Sequence, residues 1–447
     1  LMFQVFRNAW MDTQLRKKIL YTLFIVILFR LGSNIFVPFL NNDAIQTMTS
    51  DASLLNYLDV MTGGSLGKGT LLAMSITPYI NASIIIQLLA VAIPPLEKLQ
   101  KEGEQGRKKL NTITKITSLA IAILQALAFY FTLRNGTTDG NDRHVAILKY
   151  GDVYDTTSDM FSVVLAAIVI VSCFVAGASM IIWLGDRINE KGIGNGISMI
   201  LFAGIISGLP KAVNYFVTIC KNDLANIGFV LLAIVIFIAM VWFVIMMTNA
   251  ERRIPVQYAK RVVGRKMYGG QSSHIPIKVA MSGVMPIIFA MSLMSLPQTI
   301  LYFFHITEQS EGFWGGFLRF FNQSTPLYAV IYFLLIIAFN YFYVSIQYNP
   351  VEIANNLKKN NGAIPGYRPG KPTSDFIYNS LNKITLIGAI FLGIVAIFPI
   401  ILALFVPSLR GISIGGTTIL IVVGVALETV RTLESQIMMR HHPGFLD

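Results

Sequence analysis

Few residues in this 447-residue chain stand at spacings that support covalent chemistry. Residues 64–70 (GSLGKGT) approach a phosphate-binding loop, but Gly69 follows Lys68 and breaks the GxxxxGK[ST] spacing. Residues 191–196 (KGIGNG) do not spell GxGxxG and follow an apolar run, not a strand. Both stretches read as tight turns. Cys173 and Cys220 lie far apart with no CxxC or Cys/His spacing, so they read as small apolar residues, not as a disulfide or zinc ligands. Asn81-Ala82-Ser83 fits a glycosylation sequon but sits inside an apolar segment and is set aside. Nothing spells a catalytic triad or a metal cluster. The expectation is a protein that is not an enzyme and has no cofactor and no metal.

Side chains that could handle a charged cargo are equally sparse. Ion-coupled carriers place Asp, Glu or His within their spans. No acidic residue falls in the middle of any predicted span here, and Glu428 lies only near the cytoplasmic end of the last one. Arg30 lies inside the first span, where a structural pairing with a neighbour or a carbonyl is expected. The remaining pattern is apolar. Ile76 and Ile80 are four apart on one helical face, with Thr77 and Asn81 repeating the spacing beside them. Ile197 and Leu201 repeat it again, straight after the Gly-rich turn. Ile288 lies among Ser282, Ser292, Ser295, Gln298 and Thr299. Each pair alone is ordinary packing. If these helices surround one axis, a ring of branched aliphatic side chains would close a channel by dewetting it.

The elements that must position these residues are membrane spans. With 54% hydrophobic and 13% charged residues, the composition is that of a polytopic membrane protein. Ten apolar segments are predicted, at about 19–39, 66–95, 111–133, 160–184, 195–215, 227–248, 277–304, 326–348, 384–406 and 415–432. The N-terminal stretch is polar and basic, and the first apolar run is long enough to stay as a span, so no cleavable signal peptide is expected. Ten crossings put both termini on one side. The loops of that side hold 23 of the 35 basic residues and those of the other hold 7, which makes it the cytoplasm. The same asymmetry accounts for most of the +12 net charge without a polyanionic partner. Division near residue 220 gives two halves, 1–220 and 221–447, of five spans each. Halves of odd count that share a fold must be inverted repeats, although no internal sequence identity is evident.

The second segment is the irregular one. Residues 58–66 (LDVMTGGSL) form a short, weakly apolar piece, and 66–89 begin at glycines and contain Pro78. The fully apolar part is short for a span, which needs about 20 residues. A broken helix follows, and broken backbone at membrane depth must be clad in protein or line a cavity.

Seven longer motifs resemble one family. They are ITPYINASIIIQLL at 76–89, KEGEQGRKKL at 101–110, IWLGDRINEKGIGNGISMI at 182–200 and ERRIPVQYAKR at 251–261. They continue with YGGQSSHIPIKV at 268–279, IPGYRPGKPT at 364–373 and GGTTILIVVGVALETV at 415–430. In this order, over nearly the whole chain, they are similar to the SecY family of central channel subunits in bacterial protein translocation.

That resemblance implies an all-α clamshell, braced by a SecE-like subunit and joined by a SecG-like one, opening sideways to lipid between the second and seventh spans. It implies a pore ring at Ile76, Ile80, Ile197, Leu201, Ile288 and Ile421, and a plug over 58–66 carried by Leu58, Val60, Met61, Gly63, Gly64 and Leu66. It implies a lateral gate lined by Thr77, Asn81, Gln87, Ser282 and Ser292. Two basic cytoplasmic loops, 249–276 and 349–380, would dock a SecA motor ATPase or the ribosome, ribosomal RNA included, through Arg252, Arg253, Lys260, Arg261, Arg368 and Lys371. Departures are mild: Leu201 stands where the family often has Ile, and Thr77 and Asn81 where it often has Met and Ser or Thr. The expected function is a passive gated pore for signal sequences and unfolded polypeptides in the bacterial cell membrane. A small-solute or lipid transporter on the same inverted-repeat logic is the alternative. A poreless structural subunit is disfavoured by the broken second segment.

Overall fold

The structure is a computed structural model. It describes residues 7, 9–51, 59, 62–135, 137–139, 142–144, 147–149, 152–153, 160–222, 227–258, 261–263, 266–268, 272–303, 313–320, 325–405 and 416–441. The first half holds α1 (Thr13–Gly32), α2 (Asn42–Asp51), α3 (Thr77–Ala92), α4 (Pro94–Lys101) and α5 (Glu104–Asn135). After the short hairpins β1 (Thr137–Asp139), β2 (Asp142–His144), β3 (Leu148–Lys149) and β4 (Asp152–Val153) come α6 (Met160–Lys191) and α7 (Gly196–Asn222). The second half begins with α8 (Ile227–Asn249), then β5 (Glu251–Tyr258), β6 (Arg261–Val263), β7 (Lys266–Tyr268) and β8 (Ser272–Lys278). It ends with α9 (Met285–Phe303), α10 (Phe313–Phe320), α11 (Pro326–Gln347), α12 (Pro350–Lys359), β9 (Gly362–Ala363), α13 (Lys371–Phe405) and α14 (Gly416–His441).

Local chemistry sets the ends of these helices. Asp12 caps α1, its carboxylate accepting from the amides of Gln14 at 2.8 Å and Leu15 at 3.4 Å. Thr325 and Asn349 cap α11 and α12, each followed by proline at the first turn. Pro94 and Pro95 stop α3, because a residue before proline is driven out of the α region. Ile93 is accordingly extended, and α4 leaves α3 at a bend of 106°.

An apolar helix exposes an apolar face only where lipid covers it. Leu23, Phe24, Ile27 and Leu31 on α1, and Leu231, Ile238 and Trp242 on α8, are each half-exposed or more. Bands of that size do not face water in stable soluble proteins. Among the described residues four helices are long and apolar enough to cross a membrane unaided, and the bent pair α3 and α4 makes a fifth.

Each of the ten predicted segments has a helix, but several boundaries move. Helix α1 spans 13–32, not 19–39, and residues 35–37 run extended, Phe36 bridging to Thr70. Helices α5 and α13 extend seven and thirteen residues before their apolar segments, because polar turns such as EQGRKKL and KPTSDFIYNSLNK remain helical in water where hydropathy goes blind. The predicted start of segment seven, Ile277, lies in strand β8, and the helix begins only at Met285. Residues 62–76, expected to include half of a broken helix, run as successive turns.

That irregular stretch sits against α6. A Cβ on Gly177 would lie 1.8 Å from the backbone oxygen of Leu71, so only hydrogen fits there. We expect Gly177→Val to cost about 1–3 kcal/mol or more. Gly208→Ala, at a helical site with open space around it, should move stability by no more than about 0.5 kcal/mol. Thermal unfolding of the purified protein compares the two.

Candidate functional site

The site is built where α3 and α9 meet. These helices come from opposite halves and pack against each other, and α9 also packs on α5 and α11. Beneath them lies a cavity of about 1650 Å³, lined by residues of both halves that include Ser83, Gln87, Asn111, Asn195, Ser282, Tyr343, Leu420 and Glu428. Its walls mix polar and apolar side chains, and no charged cluster dominates.

The aliphatic residues gather close by, Leu392 and Leu420 belonging both to their cluster and to the cavity wall. Ile76 (1% exposed), Leu201 (6%), Ile288 (6%) and Ile421 (1%) lie in one apolar cluster, with Ile80 and Ile197 half-buried against it. All six thus come together from α7, α9, α14 and the start of α3. Ile76 precedes the first helical residue of α3, and its carbonyl accepts from the Ile80 amide at 3.0 Å. Such a cluster can close and re-form without directional bonds, since burial of apolar surface does not depend on orientation.

The residues expected to line a lateral gate do not form one hydrogen-bonded set. Gln87 accepts a bond from the Tyr343 hydroxyl at 2.7 Å and donates to Ser83 Oγ at 3.0 Å. Ser282 lies in the turn before α9 and donates to Asn340 on α11, whose amide donates to the Thr385 carbonyl at 2.9 Å. That network stays within the second half. Asn81 is buried with no partner for its Oδ1 among the described residues. Ser292 is buried on α9 and Thr77 half-buried at the start of α3.

Leu58, Val60 and Met61 lie outside the described residues. Gly63, Gly64 and Leu66 are buried. Both glycines have positive φ, +68° and +81°. Arg30, one helical turn from the end of α1, holds this segment. Its Nη1 donates to the Gly63 carbonyl at 3.4 Å, to Ser207 Oγ at 3.2 Å and to Ser33 Oγ at 3.3 Å. Ser207 itself donates to the Gly63 carbonyl at 3.3 Å. The expected carbonyl partner of Arg30 exists, but sequence alone gave no sign that it belongs to the 58–66 segment.

The two basic loops are joined. Strand β5 pairs antiparallel with β8 and also with β9, Gln257 facing Ala363 and Tyr258 facing Gly362. Ile254 and Val256 face inward onto Ile277, Leu357, Ile364 and Ile377, while Arg252 and Arg253 at the start of the strand are exposed. Arg253 Nε donates to Glu251 Oε1 at 2.8 Å, a bond that holds the carboxyl below its usual pKa. Arg368 and Lys371 are exposed on a turn whose Tyr367 stacks 4.3 Å from Phe376. Lys260 lies outside the described residues, and of Arg261 only the backbone, in β6, is described.

Comparison with known families decides the identity of this arrangement. The SecY family model matches residues 70–430. The chain belongs to the SecY family. Its relatives include the protein translocase subunits SecY of Streptomyces scabiei, 38% identical over 453 residues, and of Mycobacterium bovis, 39% identical over 460 residues. Both alignments cover all of this chain and all of the relative. A solved protein-conducting channel aligns with 98% of this chain and 96% of its own, at TM-score 0.65 and 18% identity. Sec61 in a canine ribosome–channel complex aligns with a TM-score of 0.63 at 16% identity. These structures share the all-α polytopic membrane fold. A SecY-family chain is a channel subunit and not an enzyme.

Arg30→Met keeps length but removes the arginine's own bonds to Gly63 and Ser207, leaving only the direct Ser207–Gly63 bond. If these bonds hold the segment shut, resting ion conductance of the reconstituted channel should rise several-fold while membrane level stays constant. Unchanged conductance would mean that Arg30 serves α1 alone.

Proposed function

We propose that this chain is the central pore of a bacterial protein translocase, a passive and gated channel for unfolded polypeptides. Full-length relatives named as protein translocase subunits support the activity. The observation that carries the mechanism is the meeting of α3 and α9 from opposite halves over a shared cavity, with six aliphatic side chains in one cluster beside it.

In this reading α1, α3, α5, α6 and α7 are the five spans of the first half, and α8, α9, α11, α13 and α14 those of the second, related as inverted repeats. Both termini are cytoplasmic, and the membrane is the bacterial inner membrane. Ile76, Ile80, Ile197, Leu201, Ile288 and Ile421 form the ring that dewets the resting pore. Residues 58–66 form the plug. Parting of α3 from α9 opens a path to lipid past Thr77, Asn81, Gln87, Ser282 and Ser292, so a sufficiently apolar segment can partition out sideways. A chain in transit displaces the ring, which closes around it because apolar contacts have no preferred direction.

The channel has no energy source, so a partner must push or pull. The basic face of β5 and the Arg368 turn are its docking surface for a SecA-like motor or a ribosome, and ribosomal RNA would meet the same positive charge. A solved relative of this fold is Sec61 in a ribosome–channel complex, which supports the ribosome as one such partner. SecE-like and SecG-like subunits are the expected small membrane partners. The carrier alternative loses its basis with family membership.

Two substitutions test the reading. Ile421 is 1% exposed within the cluster. Ile421→Asn buries an amide, and an unsatisfied one costs about 1–3 kcal/mol. The closed state should lose that much relative to a wetted open one. Export of a substrate with a defective signal, normalised to channel level, should rise at least about fivefold. A rate at or below wild type removes Ile421 from the ring. Charge reversal at Arg368 should impair motor-driven export with the channel level unchanged. Undiminished export would restrict this arginine to setting topology.

A further inference from the structure

Tyr343 lies near the C-terminal end of the apolar helix α11, where an aromatic residue is most simply core. Its surroundings say more. The ring lies 5.2 Å from that of Phe289 on α9, and Phe289 also meets Phe339 of α11 at 6.0 Å. Tyr343 therefore belongs to the α9–α11 body of the second half. Its hydroxyl, however, donates at 2.7 Å to Gln87 Oε1 on α3, in the first half. Gln87 is steadied in turn by its own bond to Ser83 Oγ, one turn back on the same helix. The three residues form a chain of two bonds that crosses between halves.

We propose that Tyr343 is a positioning residue of the lateral gate, a clasp that holds α3 to the α9–α11 body and sets how apolar a signal segment must be to part them. The proposal rests on the reading of α3 and α9 as the gate. Any motion that separates α3 from α9 and carries α11 with α9 must break the Tyr343–Gln87 bond. All three residues line the large cavity. On opening, the phenol and the amide therefore face space in which water can replace the lost bond. The clasp is weak for that reason. It contributes the net worth of one hydrogen bond, and not the far larger penalty of a stranded polar group. A contribution of that size tunes a threshold without locking the gate. Ser282 does not share this role, since its bond to Asn340 stays within one half.

The test uses the channel reconstituted with its partner subunits in liposomes. Spin labels are placed at Ile85 on α3 and Leu293 on α9, both exposed beside the gate. A synthetic signal peptide with a basic start and an apolar helix is titrated in. In the parent channel the inter-label distance should lengthen with peptide. If it does not, the gate reading itself fails. Tyr343→Phe keeps the ring on Phe289 and removes only the hydroxyl. It should lower the peptide concentration at half-opening about fivefold, the ratio expected for one net hydrogen bond. Gln87→Leu should do the same, and the double variant should add nothing further, because both remove one bond. A gate that opens in the parent at the same midpoint as in Tyr343→Phe overturns the clasp while leaving the gate intact. Additive effects in the double variant would also overturn it, since the two residues would then act separately.

Discussion

Backbone that is buried without being helical must find new partners for its amides, and much of this structure follows from how residues 62–76 find theirs. A buried amide left unpaired costs about as much as a lost hydrogen bond. The Gly69 carbonyl accepts from Val37, and the Leu71 amide donates to the Ile35 carbonyl. Gly64 and Gly67 donate to the backbone and the carboxylate of Asp59, and the Leu66 amide donates to the Thr62 hydroxyl. The extended residues after α1 are thus half of a short ladder, which explains why α1 ends early. The arrangement also requires α6 to come close, and Gly177 permits it.

With those amides satisfied, α3 can begin at Thr77 as a short helix of 16 residues, about 24 Å long. It is held at its start by the aliphatic cluster and along its length by α5 and α9. A full-length span would be anchored at both membrane surfaces. A short one attached through turns has fewer such constraints, and the proposed gate lies at the boundary it shares with α9. The interactions across that boundary are the ones that can be remade cheaply. They are apolar contacts, with a tyrosine bond from the adjoining α11 beside a cavity and no ion pair between α3 and α9 among the described residues.

Hydropathy made the apolar helices legible in the sequence, because lipid imposes a length and a composition on anything that crosses it. The tight turns at 64–70 and 192–195 were legible from glycine alone. Helix ends in water were not, since the polar turns of α5 and α13 carry no apolar signal. The pairing of Gln257 with Ala363 was hidden for a different reason, as nothing local links two short strands so far apart. Arg30 advertised a partner but not which one. Tyr343 was invisible, because among Phe339, Phe342 and Tyr341 one more aromatic reads as packing. Its hydroxyl matters only through a glutamine that lies some 250 residues away in the chain.

The small ladder between β5 and β9 has a consequence for how the protein is made. Gln257 and Tyr258 leave the ribosome long before Gly362 and Ala363, and contacts of such sequence separation form late. Until α11 and α12 have been synthesised, β5 and β8 make only a hairpin, and the inward side chains Ile254 and Val256 lack Leu357 and Ile364 to pack on. The basic face therefore reaches its final form only when most of the chain is in place. An incomplete chain, with part of its helices made, therefore lacks the finished surface that the proposed partners would meet, and assembly order would keep unfinished channels out of use.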